Sequence, residues 1–291
     1  MQNRYLWFDV LNIILLSMLG IATMYPFWYI FIYSVSDPQM AAKGIYLLPV
    51  GLTSKNYMVI FQNPNIVRAV MISVSRTVVG TVVTVLASSL LAYCLTNSKT
   101  LGRRVMYRMI FYSMYFNAGI IPWYITMKTY GLRNNFLLYI LPYAVAPFYL
   151  ILFKAYFDQL PKALEDSAMI DGAGFLRTFA SIILPVSLPI VASIALFAAV
   201  NQWNMWFDNF YLAPSKDLMT LQLLLLNFLT EFSAAQSAVT ANVGQNMGEI
   251  RVTSTSIRMT ITAVAVLPVF CVYPFVQKYF VKGIMLGAIK G

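Results

Sequence analysis

The sequence predicts an all-α protein that crosses a membrane about six times, and its composition and its pattern both lead to this fold class. Of its 291 residues, 60% are hydrophobic and 10% are charged, whereas roughly a quarter of the residues of a soluble domain are charged. A membrane-spanning helix needs about 20 mainly apolar residues, and six apolar runs have about that length. The runs lie near residues 11–33, 76–96, 109–127, 136–157, 182–207 and 259–280.

The first run opens a segment, 1–69, that we predict to be one helix followed by a long outer loop. The turn signals Asp37-Pro38 and Asn63-Pro64 interrupt the residues that follow this run, and such pairs favour loops over continuous helices. The other five runs fall in the remaining segment, 70–291, which we predict to be the core domain.

The short connection between the second and third runs indicates how the chain is oriented. Basic residues in short loops close to the membrane are typical of the cytoplasmic side, and this loop carries Lys99, Arg103, Arg104 and Arg108. With six crossings, alternation places both ends of the chain in the cytoplasm. The net charge of +10 is scattered between apolar runs and forms no continuous stripe, so nucleic acid is not an expected partner.

A polar island separates the fourth and fifth runs. Pro161 suits the first turn of a helix, because its missing N–H would be unpaired there in any case. Glu165 and Asp166 then fall near the positive N-terminal end of that helix, and Gly172 permits a sharp exit. We predict a short helix, a glycine turn and a second helical stretch that ends before Pro185. An ordinary loop between helices is the alternative interpretation.

Polar side chains also occur within the apolar runs. Asn201, Gln202 and Asn204 lie near the end of the fifth run, and Asp208 follows them. Such groups are costly in a membrane unless they face a cavity or a partner, which makes them functional candidates. Arg76 begins the second run, and we expect it either to extend toward the membrane surface or to pair with a partner chain.

Several kinds of chemistry are disfavoured. The chain contains no histidine, its two cysteines are far apart, and no Gly-x4-Gly-Lys-Ser/Thr phosphate-binding loop occurs. An intramembrane enzyme would need a paired nucleophile and base or a metal set, and a secondary transporter would need coupling groups near the midplane and usually internal repeats. We therefore expect a non-catalytic chain without a metal or cofactor of its own, driven by another polypeptide if transport uses ATP.

The island resembles the EAA loop of permeases from ATP-binding-cassette (ABC) importers. That loop has an acidic residue and two small residues, a glycine six positions after the acid, and then Ile-x-Leu-Pro. The corresponding residues here are Asp166-Ser167-Ala168, Gly172 and Ile182-Ile183-Leu184-Pro185. The chain departs from the pattern with Asp in place of Glu and Ser in place of the first Ala.

The likeness extends from about Val70 to Gly291, and the ending, 280–291, looks like that of the carbohydrate branch, the maltose-type permeases. Within that branch it looks most like the second permease of heterodimeric pairs that import complex oligosaccharides. The resemblance implies the type I importer permease fold in the cytoplasmic membrane, and transport by alternating access. It also implies a sister permease, two ATPase subunits that hold ATP and Mg, and an extracytoplasmic solute-binding protein that delivers an oligosaccharide. A non-carbohydrate solute is the alternative within the same family.

The resemblance assigns two groups of residues. Contact with the ATPase falls to a coupling loop near 158–185, at Glu165, Asp166, Ser167, Ala168, Asp171, Gly172, Ile182, Leu184 and Pro185. The substrate pathway falls to Asn201, Gln202, Trp203, Asn204, Tyr143 and Phe148. For the three aromatic residues of the second group the alternatives are an interfacial aromatic belt, for the tryptophan, and ordinary helix packing, for the other two.

Overall fold

A computed structural model describes the backbone of residues 6–45, 47–98, 100–239 and 254–288, and the side chains of 7–45, 47–98, 100–230 and 255–272. Within these ranges the chain is helical, and an isolated bridge between Ser36 and Leu52 is the one strand-like pairing. The all-α prediction is confirmed. Lys99, one of the four basic residues that indicate orientation, lies outside the described residues.

The helices are numbered here in chain order. The α-helices are α1 Leu6–Ser34, α2 Pro38–Ala41, α3 Lys55–Gln62, α4 Pro64–Thr96, α5 Arg103–Ser113, α6 Ile120–Thr129, α7 Pro147–Phe157, α8 Ala163–Ile170, α9 Phe175–Thr178, α10 Leu184–Val186, α11 Leu188–Asn204, α12 Phe207–Leu212, α13 Leu221–Val239 and α14 Ser254–Ala288. The 3-10 helices are Phe136–Tyr139, Leu141–Tyr143 and Lys216–Leu218, and a π-helical turn, Phe179–Ile183, joins α9 to α10.

Three helices of the described ranges are long and apolar enough to cross a membrane. They are α1, α4 and the first part of α14, residues 255–272. Two further spans result if each of two bent helix pairs counts as one: Phe136–Tyr143 with α7, and Phe175–Val186 with α11. Five of the six predicted runs therefore have a counterpart, and two of the five are broken.

The third predicted run, 109–127, is wrong as a single span. The chain instead forms α5 and α6, of 11 and 10 residues. Between them the Asn117 side chain accepts a hydrogen bond from the backbone N–H of Gly119 (2.9 Å), and Gly119 has φ +81°. This backbone conformation is one that glycine adopts routinely and other residues avoid, so it interrupts the helix. Hydropathy averaged over a window does not register such a turn.

Prolines break the fourth run. Pro142 and Pro147 flank a bend of 44° between the 3-10 helices and α7. The residue before a proline is biased away from helical geometry, and Ala146 is accordingly extended, with ψ 115°. The run thus consists of two 3-10 helices followed by α7, and the backbone groups exposed at the breaks need other hydrogen-bond partners.

The fifth run bends more strongly, by 85°, at Ser187 between α10 and α11. The helical stretch after the glycine turn continues past Pro185 to Val186, so the prediction that it ends before Pro185 is wrong. A proline inside a helix clashes with the carbonyl four residues earlier. The π-helical turn that ends at Ile183 widens the helix just before Pro185 and relieves this conflict.

The chain divides into two compact units, 1–67 with 225–268 and 68–224 with 269–291. In the first unit the loop after α1 is well ordered by hydrogen bonds. Asp37 caps α2 by accepting from the N–H groups of Gln39 and Met40, and Asn56 Nδ2 donates to the carbonyl oxygens of Ser34 and Ser36, both at 2.9 Å. The predicted division at residues 69 and 70 stays a prediction.

The second unit has two apolar cores. In one, α4, α7, the π-helical turn and α11 bury side chains against one another, among them Tyr93, Leu150, Phe153, Ile183 and Ile194. In the other, the segment around the first 3-10 helix packs against the end of α12, with Leu138, Tyr139 and Leu212 fully buried. Both candidate functional sites described below lie in this unit.

Candidate functional sites

The polar island folds as a short helix and a glycine turn. Helix α8 runs from Ala163 to Ile170, and Glu165 and Asp166 lie in its first turn, where acidic side chains are favoured by the helix dipole. Gly172 has φ +75° and turns the chain, and the extended Gly174 precedes α9. We call residues 163–176 the coupling segment. Its predicted secondary structure is confirmed, apart from the later end of the second helix.

One face of the coupling segment is exposed and mixes charge with apolar surface. Asp166, Ser167, Asp171 and Gly172 are exposed, whereas Ala168 is buried at 3%. Next to the acidic residues, the large side chains of Met169, Ile170 and Leu176 are also exposed, Ile170 by 86%. Further along, Ile182 and Leu184 are half-buried and Pro185 is exposed. Exposed apolar side chains grouped in this way are typical of an interaction surface.

Aromatic stacking attaches the coupling segment to α4. The ring of Tyr93 stacks on Phe175 (centroids 4.6 Å apart) and on Phe179 (5.5 Å), and it meets Phe157 edge-on at 6.3 Å. Such ring pairs each stabilise by roughly 0.5–1.5 kcal/mol beyond the area they bury. The Tyr93 hydroxyl also lies near enough to Glu165 to interact with it electrostatically. Glu165 is therefore half-buried beside Tyr93, and Asp166 and Asp171 are the acids left on the exposed face.

A cavity of about 190 Å³ lies at the break in the fourth run. Aromatic, amide and hydroxyl side chains line it together with prolines and small apolar residues, and none of its ten lining residues is charged. The lining residues are Thr84, Pro142, Tyr143, Val145, Ala146, Pro147, Tyr149, Ala198, Asn201 and Gln202. Three of the predicted pathway residues, Tyr143, Asn201 and Gln202, are thus brought together.

Helix α4 supplies hydrogen-bond partners to the broken backbone beside this cavity. The Thr84 hydroxyl donates to the Tyr143 carbonyl (2.9 Å), and Ser88 Oγ accepts from the Ala146 N–H (3.2 Å). Irregular backbone at membrane depth is tolerated where protein groups satisfy it and where it lines a cavity. Discontinuous spans of this kind are where transporters form their binding sites.

Small and polar residues recur along the same face of α4. They follow helical spacing, and each is buried: Ser73, Arg76, Gly80, Thr84 and Ser88. Sequence reasoning missed Thr84 as a site residue, although this stripe of positions three and four residues apart could have revealed it. It also missed Tyr149, for which the sequence offers no signal beyond a single aromatic residue in an apolar run.

Arg76 forms a buried ion pair beside the cavity. Its guanidinium binds the Asp208 carboxylate through two hydrogen bonds, Nη1 to Oδ1 (3.0 Å) and Nη2 to Oδ2 (2.6 Å), and neither residue is exposed. Arg76 Nε donates to Gln202 Oε1 (3.0 Å). The expectation that Arg76 extends to the membrane surface or pairs with another chain is therefore wrong. A charge buried in a membrane protein needs a counter-charge, and Asp208 provides it within the same chain.

The sequence of this chain is similar to those of known transport proteins. No protein-family model matches the chain. The protein LplC of Bacillus subtilis (strain 168) is 35% identical to it over 98% of this chain and 95% of LplC. The polygalacturonan/rhamnogalacturonan transport system permease protein YtcP of the same strain is 34% identical over the whole length of both. The chain belongs to the family of carbohydrate ABC transporter permeases.

A solved structure agrees with this assignment. The crystal structure of a bacterial ABC transporter involved in the import of the acidic polysaccharide alginate contains a chain that matches this permease with a TM-score of 0.86. The two are 27% identical, and the match covers 96% of this permease and 99% of that chain. The predicted fold class, that of an importer permease in the cytoplasmic membrane, is confirmed.

The remaining predicted pathway residues of the permease do not line the cavity. Trp203 is buried, with 6% of its surface exposed, on another side of α11. Asn204 is exposed, and its Oδ1 accepts a hydrogen bond from Gln222 Nε2 (3.3 Å). Phe148 is 54% exposed. Their assignment to the pathway, which the resemblance implied, stays a prediction without support from this cavity.

Proposed function

We propose that this permease forms one half of the membrane channel of an importer that moves an oligosaccharide into the cytoplasm by alternating access. The observation that carries the proposal is the coupling segment. It is a short helix outside the spans that presents an acid, Asp166, beside an apolar side chain, Ile170, that is 86% exposed. Burial of such a side chain at an interface stabilises by roughly 1.5–3 kcal/mol. In this proposal the partner is an ATPase subunit.

The position of Tyr93 supports a cytoplasmic location for the coupling segment. Tyr93 lies in the last turn of α4 and holds the coupling segment through Phe175 and Glu165. The basic loop that contains Arg103 and Arg104 follows α4 directly. The coupling segment and this loop therefore lie at the same end of α4, and positive side chains in a short loop favour the cytoplasm. Both chain ends are proposed to lie on that side as well.

In this proposal the energy comes from partner subunits. Two ATPase subunits hold ATP and Mg and receive the coupling segments of this permease and of a sister permease. Because Tyr93 stacks on the rings that follow Gly172, a movement of the coupling segment would be transmitted to α4 and hence to the cavity wall. An extracytoplasmic solute-binding protein would supply the sugar. This permease itself would be non-catalytic.

The chemistry of the cavity supports a carbohydrate as the solute. Sugars present many hydroxyl groups and apolar ring faces, and the cavity offers the Asn201 amide, the Tyr149 hydroxyl and the ring of Tyr143. The relative YtcP carries the name of a polygalacturonan/rhamnogalacturonan permease, and the matching solved structure comes from an alginate importer. These two names favour an oligosaccharide of uronic acids, although the lining of this cavity is uncharged. The sister permease would contribute the other wall of the pathway.

The proposal is tested with the complete importer in proteoliposomes. ATP hydrolysis is measured with the solute-binding protein and a panel of neutral and uronic-acid oligosaccharides. We expect one sugar class to stimulate hydrolysis, and we expect the stimulation to be lost in the assembled Asp166→Lys/Ile170→Lys variant. Asp217→Lys is the matched control, because Asp217 is an exposed acid of the same compact unit outside the coupling segment. Equal stimulation in the two variants would refute the coupling role, and indifference of the wild type to every sugar would refute the substrate class.

A further inference from the structure

The buried ion pair leaves Arg76 no role as a ligand for an acidic sugar. Its Nε, Nη1 and Nη2 atoms donate four hydrogen bonds within the chain, two to Asp208, one to Gln202 Oε1 and one to the Met205 carbonyl (3.2 Å). The guanidinium also lies 4.5 Å from the centroid of the Tyr139 ring. A guanidinium has five N–H donors. Arg76 is therefore fully buried and hydrogen-bonded within the chain, and its function depends on the residues that it binds.

Gln202 connects the ion pair to the cavity. Its Oε1 accepts from Arg76, its Nε2 donates to the Tyr139 carbonyl (3.2 Å), and its side chain lines the cavity. Gly80 lies against the opposite side of the Gln202 side chain. A Cβ atom at this glycine would lie 2.7 Å from Gln202 Nε2 and 2.8 Å from its Cδ, which is closer than atoms can pack. The Gln202 side chain is thus held in one position from three sides.

The same ion pair also lies beside the tyrosine of the cavity wall. The Asp208 carboxylate is near enough to Tyr143 to interact with it electrostatically, and its Oδ1 accepts from the N–H of Asn209 (2.7 Å). Of the residues predicted to contact the sugar, Gln202 therefore has both polar groups engaged within the chain, and Tyr143 lies beside the ion pair. Asn201 and Tyr149 also line the cavity, and the four hydrogen bonds of Arg76 go to other residues.

We propose that Arg76 and Asp208 are positioning residues of the sugar pathway: they fix Gln202, which lines the cavity beside Tyr143, as a rigid part of the wall where Asn201 and Tyr149 contact the sugar. This inference rests on the proposed function of the permease. Gln202 satisfies the buried Nε donor of Arg76 and also lines the cavity, so the hydrogen-bond network of the ion pair ends in the cavity wall. A rigid polar support is what keeps binding groups in their productive geometry.

Two substitutions separate positioning from stability. Arg76→Lys keeps a positive charge beside Asp208 but cannot donate to Gln202 and Asp208 in the same fork geometry. Gly80→Ala keeps every charge and acts directly on Gln202, because the three atoms nearest to its Cβ all belong to that side chain. Gly20→Ala in α1 is the matched control, since its Cβ meets nothing within 4 Å.

The readout is the number of sugar molecules transported per ATP hydrolysed by the complete importer in proteoliposomes, together with the melting temperature of the purified complex. We expect Arg76→Lys and Gly80→Ala to lower the transport ratio by about fivefold, the factor that corresponds to one hydrogen bond of ordinary net strength. The ATP hydrolysis rate and the assembly of the complex should stay near those of Gly20→Ala. Gly80→Ala decides the outcome if Arg76→Lys fails to assemble.

Other results would overturn the inference in one of two distinguishable ways. If the wild type responds to sugar and Gly80→Ala keeps the wild-type ratio, Arg76 and Asp208 are structural only, and the proposed function stands. A melting temperature that falls in Gly80→Ala with an unchanged ratio leads to the same conclusion. If the wild type responds to no sugar, the proposed function fails and the positioning role fails with it.

Discussion

Gly172→Ala should weaken the association of the permease with its ATPase through backbone strain alone. Gly172 has φ +75°, in the left-handed region, and a Cβ built on it meets no atom within 4 Å. No steric clash within the chain arises, so the cost is that of placing an L-residue in this conformation, roughly 1–2 kcal/mol. If docking requires the turn, the dissociation constant should rise by about 5- to 30-fold.

Gly174 offers a matched control, because its φ is −74° and its Cβ also meets nothing within 4 Å. Gly174→Ala should leave the affinity unchanged. Gly172→Asn should fall between Gly172→Ala and the wild type, because asparagine tolerates the left-handed region better than alanine does. The affinity of ATPase subunits is measured on the permease pair in nanodiscs by biolayer interferometry.

The rank order of the affinities of these variants tests whether backbone strain at position 172 weakens docking. Equal affinities for Gly172→Ala and Gly174→Ala would show that the left-handed turn is not needed for docking. A larger loss for Gly172→Asn than for Gly172→Ala would indicate a clash of the side chain with the partner rather than strain within the permease. Either result would refute the inference that strain at the positive φ of Gly172 weakens docking.

Three further predictions concern other parts of the second unit. Asp166→Lys should weaken ATPase binding by about fivefold at low salt, and the loss should shrink at high salt because the charge is exposed; a salt-independent loss would contradict a screened surface charge. Ala198→Leu should fill part of the 190 Å³ cavity and cost roughly 1–3 kcal/mol of stability, with less sugar uptake and unchanged ATPase affinity; uptake at the wild-type rate would exclude this cavity from the pathway. Asp217→Asn removes an exposed ion pair with Arg68 and should change stability by less than about 1 kcal/mol in thermal denaturation; a larger loss would mean that this pair is shielded from solvent in the assembled protein.

The sequence predicted the spans well where hydrophobicity alone decides them. Helices α1 and α4 and the first part of α14 follow the apolar runs, although α4 begins at Pro64 rather than near 76. Its first turns carry polar side chains, among them Asn65 and Arg68, which lower the average hydropathy without ending the helix. The third run failed for the opposite reason, since its hydropathy is high while the turn at Gly119 interrupts it.

The two sites differ in how far local signals describe them. The coupling segment is encoded within about fifteen consecutive residues, so acid and glycine signals sufficed to predict its helix and turn. Pro161, predicted in the first turn of the helix, instead lies just before the N-cap residue Lys162. The cavity joins α4, the broken fourth run and α11. The sequence pointed to Asn201, Gln202 and Asn204 by their polarity, and of these the first two line the cavity, because successive residues of a helix point in different directions.

By itself the sequence determined the class of the molecule: a helical membrane protein with a polar coupling segment of an importer permease, because composition, hydrophobic runs and turn chemistry act over short stretches of chain. Only the tertiary structure decided the pairings. It turned Glu165 inward to Tyr93 and left Asp166 exposed. It also joined Arg76 to Asp208, 132 positions away. The partner of a buried charge depends on which helices pack together, and no local pattern specifies that.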